Sequence, residues 1–375
     1  MKKKKLDVVK MFLHSIQHGS TQALFAALDV IRNASKTVQI SSYYIEANGK
    51  SAQCLFDTLL ECKAQTIQIL TDYSLWEAYK IHSYLQRFAC IPNVEIRGWN
   101  HLFMNSNHGK FIIADNEDVC IGGYNFQEAF FMEPGAWNDV GMVISSKEIA
   151  SSLTMYFNSM WEKSKIFTCK NVKTNLICPK ERKGREKIID ASITKYQMIT
   201  QYPNQWFLHS HKSNAFYQII NLLSRARKTI CILCPNVIDS CIWSILSNKL
   251  KEGVKIKIIT NQNQNRPQTF FTIGQQEETF FQGKKRNYSN LQIRFSNTGL
   301  KHTRLKTNGK DWVHDVDHSK YFDIDKQHFY IGSFNLDAMS LHACAEIGLL
   351  VFDEPQVTLD VHRFLFHYCW QRSIV

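Results

Sequence analysis

Long apolar runs are missing from this chain: nothing in it approaches the ~20 consecutive apolar residues that a bilayer-spanning helix needs, so the sequence offers no membrane span. Acidic residues are in short supply, 33 Asp and Glu against 45 Lys and Arg, which leaves a net charge of +12. Such a field draws in anions, whether phospholipid headgroups, nucleic acid or phosphorylated metabolites, and does not choose among them. The eleven cysteines are odd in number and have no regular spacing. That excludes the disulfide framework of a small secreted domain and points to free thiols in a reducing, cytoplasmic setting. Cys231 and Cys234 form a lone C-x-x-C with no second pair to complete a zinc site, so they read as cysteines of an apolar strand. His209, His211, His302, His314 and His342 are scattered without metal-ligand spacing, although His314 and Asp315 stand close before the second motif described below. The expectation is no metal and no cofactor.

The N-terminal MKKKK is not followed by a clean apolar stretch, since Asp7, Lys10 and His14 interrupt it, and it is read as an uncleaved segment rather than a leader. Leu6, Val9, Leu13 and Ile16 recur at helical spacing behind the lysines. They predict a basic amphipathic helix able to lie on an anionic membrane, or a solvated tail leading into a core-packed helix. Apolar residues at 44% and charged residues at 21% describe an ordinary packed globular protein. The 375 residues allow about two domains.

One pattern is present twice. His108, Lys110, Asp115, Gly122, Gly123 and Asn125 follow the same spacing as His318, Lys320, Asp325, Gly332, Ser333 and Asn335, H-x-K-x4-D-x6-G-[GS]-x-N in both copies. The likeness extends upstream: ALDVIRNASKTVQISSYYI matches IINLLSRARKTICILCPNVI, and NVEIRGW matches NLQIRFS ahead of each motif. Each half therefore reads helix, strand, helix, strand, strand, motif strand. This predicts α/β architecture: two pseudo-twofold-related lobes, each with a mixed or largely parallel central sheet flanked by helices. The divisions expected are a basic N-terminal segment (1–19), a first lobe (20–165), a connection containing KERKGREK (166–200) and a second lobe (201–375), with the two-lobed chain acting as a monomer.

Within a motif the His and Lys are two apart, so on a strand they project to one face. The glycines permit close backbone approach and the Asn can present its amide. Two such half-sites brought together supply two His, two Lys and two Asn, a set suited to a phosphodiester. One neutral imidazole attacks phosphorus, the other, protonated, serves the leaving oxygen, and the lysines and amides neutralise the nonbridging oxygens. Each imidazole needs an acceptor for its second nitrogen. Asp139, downstream of His108, and Glu346, downstream of His318, each begin an apolar β-like run and are expected to return to the imidazole of their own copy. Asp115 and Asp325, at the far end of the motif strands, are assigned to structural pairing.

The doubled motif resembles the phospholipase D superfamily with its HKD motifs, from about residue 20 to the C-terminus. The resemblance implies two lobes sharing one active site and a covalent phosphohistidine, with His108 as nucleophile and His318 as general acid and then base. GGYNFQEAF with WNDVG, and NLDAMSLHACAEIGLL, are similar to segments of bacterial cardiolipin synthases and phospholipases D; Ser340 matches the serine of those enzymes and is a candidate pocket residue. Met339 and Cys344 depart from the Arg and Asn that are frequent there. The reading is an enzyme that hydrolyses glycerophospholipids or transfers their phosphatidyl group, with water or an alcohol as acceptor. Peripheral contact with an anionic membrane goes with it, and delivery to a host cytosol is conceivable from the cysteine usage. The alternative is a nuclease of the same superfamily on DNA or RNA, supported by the charge and the basic stretch LKHTRLKTNGK. A decayed, purely binding homologue is disfavoured because both motifs are intact.

Overall fold

The computed structural model describes residues 11–46, 49–73, 85–100, 106–127, 138–170, 177–178, 184–203, 213–261, 273–296, 305–307, 310–312 and 317–373. The first sheet is built from β1 (Met11–His18), β2 (Thr37–Ser42), β3 (Thr66–Tyr73), β4 (Val94–Asn100), β5 (Phe111–Ala114), β6 (Asp118–Gly122), β7 (Val140–Ser145), β8 (Lys165–Ile166) and β9 (Arg185–Ile193), in the order β8-β4-β3-β2-β5-β6-β7-β1-β9. The second uses β10 (Tyr196–Gln201), β11 (Thr229–Leu233), β12 (Lys255–Thr260), β13 (Leu291–Phe295), β16 (Tyr321–Ile324), β17 (His328–Gly332) and β18 (Glu346–Val351), in the order β10-β18-β17-β16-β11-β12-β13. A small hairpin of β14 (Leu305–Thr307) and β15 (Lys310–Trp312) stands apart.

The duplication read in the sequence is therefore a duplication of topology. Strands β4-β3-β2-β5-β6-β7 occur in the same order as β13-β12-β11-β16-β17-β18. Both sheets are mixed: the first three strands of each set run parallel, and the motif strands beside them run antiparallel. Helices α1 (Ser20–Asn33) and α2 (Lys50–Glu61) serve the first lobe, and α4 (Asn214–Ser224) and α5 (Ser240–Lys251) occupy the same places in the second. The motif strands are followed by α3 (Lys147–Trp161) in the first lobe. In the second, α6 (Ile273–Asn287) and α7 (Ala338–His342) precede α8 (Pro355–His362), which runs through a π-helical turn at Arg363–His367 into α9 (Tyr368–Arg372).

Alternation along the motif strands divides the core. Ile112, Ala114, Phe322 and Ile324 point to an outer apolar cluster of their own lobe. Phe111, Ile113 and Tyr321 point to a third cluster that includes Ile121, Met142, Ile331, Ile347 and Leu349, so residues from both sheets share one interior. That shared interior holds the two motif regions together.

The N-terminal stretch differs from the helix expected. Leu6 and Val9 lie outside the described residues, but Met11–His18 is a strand paired with both β7 and β9. Its register slips between Leu13 and Ser15, and this bulge buries Leu13 and Ile16 on one side. Apolar residues three apart here reflect a strand bulge rather than a helix turn. The 166–200 stretch also holds more structure than a connection: β9 belongs to the first sheet and β10 to the second.

The expectation of free thiols is overturned for four cysteines. Cys54 bonds Cys178 and Cys90 bonds Cys169, across Cα separations of 4.9 and 4.7 Å, and both bonds fasten the segment after α3 to the first lobe. Partners 124 and 79 residues apart leave no spacing signal. The argument from thiols to a reducing compartment falls with them. No helix among the described residues is long and apolar enough to cross a membrane.

Candidate active site

Each motif histidine stands just before its motif strand, at a point where the backbone leaves its own sheet and pairs with the other lobe. His108 N donates to Ala345 O at 2.8 Å, and Ala345 N returns a bond to Ser106 O at 2.8 Å. His318 N donates to Asn138 O at 2.6 Å. Isolated bridges join Asn107 with Ala345 and Asn138 with Asp317. The residues following Ala345 and Asn138 are Glu346 and Asp139. Backbone pairing between lobes thus delivers each acid to the other copy's histidine.

The side chains complete that exchange. His108 Nδ1 lies 2.8 Å from Glu346 Oε1, and His318 Nδ1 lies 2.7 Å from Asp139 Oδ2. The expected pairing within each copy is corrected: both acids are imidazole partners, but the pairs are crossed. Sequence order suggested the nearer acid, whereas the bridges described above bring in the distant one. Each carboxylate occupies Nδ1, so the ring nitrogen that does not face the acid is Nε2 in both histidines. The rings are only slightly open, with side-chain exposures of 16% for His108 and 13% for His318. Tyr43 meets the His108 ring edge-on at 5.1 Å between centroids.

The lysines lie beneath the rings. Lys110 Nζ donates to His108 O at 2.6 Å; Lys320 Nζ donates to His318 O and sits 2.6 and 3.0 Å from the two nitrogens of the His318 ring. Both lysines and both acids are buried. Burial lowers Lys110 to about 7, with the carboxylate of Glu346 opposing, and lowers Lys320 for the same reason. It raises Asp139 to about 7, with Lys320 opposing, and raises Glu346 with Lys110 opposing. Two lysines, two acids and two imidazoles therefore share a largely buried site in which protons are finely divided.

The glycine-rich ends of the motifs explain the acids' positions. A Cβ on Gly123 would run into the carboxylate of Asp139, so only glycine leaves that acid its place. At the equivalent position the second copy has Ser333, whose hydroxyl donates to Glu346 Oε2. Ser340 bonds the same carboxylate. A side chain on Gly332 would meet the Gly348 backbone at 2.5 Å, which accounts for the glycine there. Asn125 and Asn335 keep buried amide oxygens with no hydrogen-bond partner, and Asn125 Nδ2 donates to Gln127 at 3.1 Å.

Asp115 and Asp325 sit away from this cluster in matching turns, both at φ 53°. Asp115 accepts from the backbone amides of Ser35, Lys36 and Thr37, and Asp325 from those of Arg227, Lys228 and Thr229. Gln201, which carried no sequence signal, donates at 2.8 Å to the carbonyls of Ser340 and Cys344 and so fixes the loop ahead of Glu346. Cys344 touches Ser106 of the first lobe at 3.2 Å. His342 contacts Asp239 at 3.5 Å. His209, His211, His302, His314 and Asp315 lie outside the described residues, as does most of the LKHTRLKTNGK stretch.

A family model described as cardiolipin synthase, PLD-like domain, matches residues 27–161 and 219–370. No curated protein sequence matches at a significant level. Among solved structures, phosphatidylserine synthase of Haemophilus influenzae Rd KW20 is similar at TM-score 0.68 and 15% identity, over 97% of this chain and 89% of that one. Polyphosphate kinase of Porphyromonas gingivalis is similar at TM-score 0.52 and 11% identity, over 93% of this chain and 46% of that one. At these identities the likeness is one of fold.

Proposed function

This chain belongs to the family of cardiolipin synthase, PLD-like domains, and on that footing we propose that it moves the phosphatidyl group of a glycerophospholipid to water or an alcohol through a covalent phosphohistidine. The family supports phosphatidyl-transfer chemistry on phospholipids, and the solved phosphatidylserine synthase has the same two-lobed fold. The observation that carries the reading is the crossed pairing of His108 with Glu346 and His318 with Asp139, because it makes each half-site depend on the other.

In this mechanism Glu346 holds His108 with its Nε2 lone pair toward phosphorus, and a P–N bond forms as the P–O bond to the headgroup breaks. His318, held by Asp139, gives its Nε2 proton to the departing alkoxide. It then takes a proton from water or the acceptor alcohol, whose oxygen displaces His108 from phosphorus. The nonbridging oxygens draw on Lys110 and Lys320. Lys320 Nζ lies 3.0 Å from His318 Nε2, so drawing the ammonium toward a phosphate oxygen also frees that nitrogen to hold its proton. The net charge of +12 and the absence of a spanning helix among the described residues suit a protein that meets an anionic membrane surface peripherally.

The test presents the purified chain with vesicles of phosphatidylcholine or phosphatidylglycerol plus a primary alcohol, and separately with single- and double-stranded DNA. Headgroup release or exchange supports the proposal. Cleavage of DNA with no action on lipid contradicts it and moves the same chemistry to a nuclease.

A further inference from the structure

The two copies differ sharply at one matching place, half-buried in the first lobe and buried in the second. In the first lobe Gln39 of β2 bonds Gln68 of β3 at 2.9 Å and Asn158 of α3 at 3.2 Å, Thr154 of α3 donates to Gln39 at 3.0 Å, and Ile113 of β5 is the register partner of Gln39. These neutral amides satisfy one another. At the matching strand positions the second lobe has Cys231 for Gln39, Lys257 for Gln68 and Asp323 for Ile113, and the covering helix α8 brings His362.

Cys231, Asp323 and His362 are all buried, and one ligand atom from each lies within 4.8 Å of the others. Asp323 has no exposure. Its Oδ2 accepts from Tyr321 at 3.0 Å and meets His362 Nδ1 at 2.9 Å, while its Oδ1 has no hydrogen-bond partner. A fully buried carboxylate oxygen without a protein donor is a place where a water or a cation can bind. Against the cluster lies a cavity of about 150 Å³ lined by Cys231, His362, Lys257, Lys326 and Trp370. The π-helical turn begins directly after His362, a local insertion of the kind that often marks a functional site. Asp323 lies within β16 whereas His318 stands before that strand, five residues earlier, so the cluster is separate from the imidazole pair.

We propose that Cys231, Asp323 and His362 bind a divalent transition ion of the zinc type, with its fourth position open to the adjoining cavity. Thiolate, carboxylate and imidazole are the ligands such an ion takes; tetrahedral coordination at ~2.0–2.3 Å spaces ligand atoms about 3.3–3.8 Å apart, so the 2.9 Å His362–Asp323 contact opens slightly to admit the ion. Binding replaces the thiol proton of Cys231, and one thiolate and one carboxylate balance the ion's two charges. With those charges balanced, Lys255, Lys257 and Lys326 around the cavity favour an anion as the fourth ligand. Cys234 takes no part, because it packs into the outer cluster on the other side of the sheet.

The full chain, stripped of metal and titrated with Co2+ and then Zn2+, tests this. One equivalent of cobalt is expected to give a thiolate-to-metal charge-transfer band in the near ultraviolet, bleached by one equivalent of zinc, and zinc is expected to raise Tm. Cys231→Ser and His362→Gln should each weaken binding on the order of 100-fold, with circular dichroism checking the fold and either variant sufficing if the other does not fold. Cys369→Ala, in the other buried His–Asp–Cys group with His18 and Asp317, should leave binding unchanged. Absence of the band in the wild type, cobalt binding as tight as wild type in Cys231→Ser or His362→Gln, or loss of the band in Cys369→Ala would overturn the assignment.

Discussion

Each motif imidazole has one nitrogen committed to a carboxylate from the other lobe, and this single fact sets what substitution should do. His108→Ala and His318→Ala are expected to abolish turnover, and Asp139→Asn and Glu346→Gln to lower kcat on the order of 10³–10⁴-fold. A double-mutant cycle in unfolding free energy separates crossed from local pairing: Asp139→Asn should cost little once His318 is gone. If it costs little in His108→Ala and its full amount in His318→Ala, the crossed pairs are wrong. Protons give a second test. Burial holds Lys110 at about 7, so at pH 8 much of it is neutral in the free protein, and an anion beside it stabilises the ammonium. Inorganic phosphate should therefore bind with proton uptake at pH 8, seen by calorimetry in buffers of different ionisation enthalpy; proton release would contradict this. The motif residues were legible because their spacing repeats. The partner of each acid was not, since it depends on bridges between residues more than 170 positions apart, as for His318 and Asp139 at 179.

At the scale of elements, the paired turns after β5 and β16 are the clearest structural devices. Partial burial pushes Asp115 up, but the amides of Ser35, Thr37 and Lys36 outweigh it and hold the carboxyl at about 2 against 3.8 normally. A depressed carboxyl contributes stability above its unfolded pKa, and that contribution is lost as the pH falls from about 4 toward 2. Asp325→Ala, which strips three backbone amides of their acceptor, should cost about 1–3 kcal/mol in denaturant unfolding with catalysis per folded molecule retained. An unchanged midpoint would remove Asp325 from this role. The structural assignment of these two acids followed from their place at the strand ends. The strand at Met11–His18 was hidden because its bulge imitates helical spacing, and the disulfides because their partners share no local pattern. Removing the Cys54–Cys178 or Cys90–Cys169 bond should lower stability by about 2–4 kcal/mol; complete alkylation of all eleven thiols in the unreduced, unfolded protein would show the bonds absent.

For the whole molecule, duplication explains both the shape and the chemistry. Two sheets with the same strand order share an apolar interior built from Phe111, Ile121, Tyr321, Ile331 and Ile347, and the motif ends of both come together above it. Helix–strand alternation and the repeated segments carried this architecture in the sequence. The strand directions beyond the parallel triplets were less legible, because FIIA and YFDI are apolar on both faces and do not declare an antiparallel neighbour. Two half-sites make one site per chain. Rapid base-quench of the chain with a phospholipid labelled at phosphorus, followed by mapping of the labelled peptide at alkaline pH, tests it directly. The expected result is at most one alkali-stable phosphoryl label per chain, on His108 and absent from His108→Ala; two labels per chain, one on each motif histidine, would contradict a shared site.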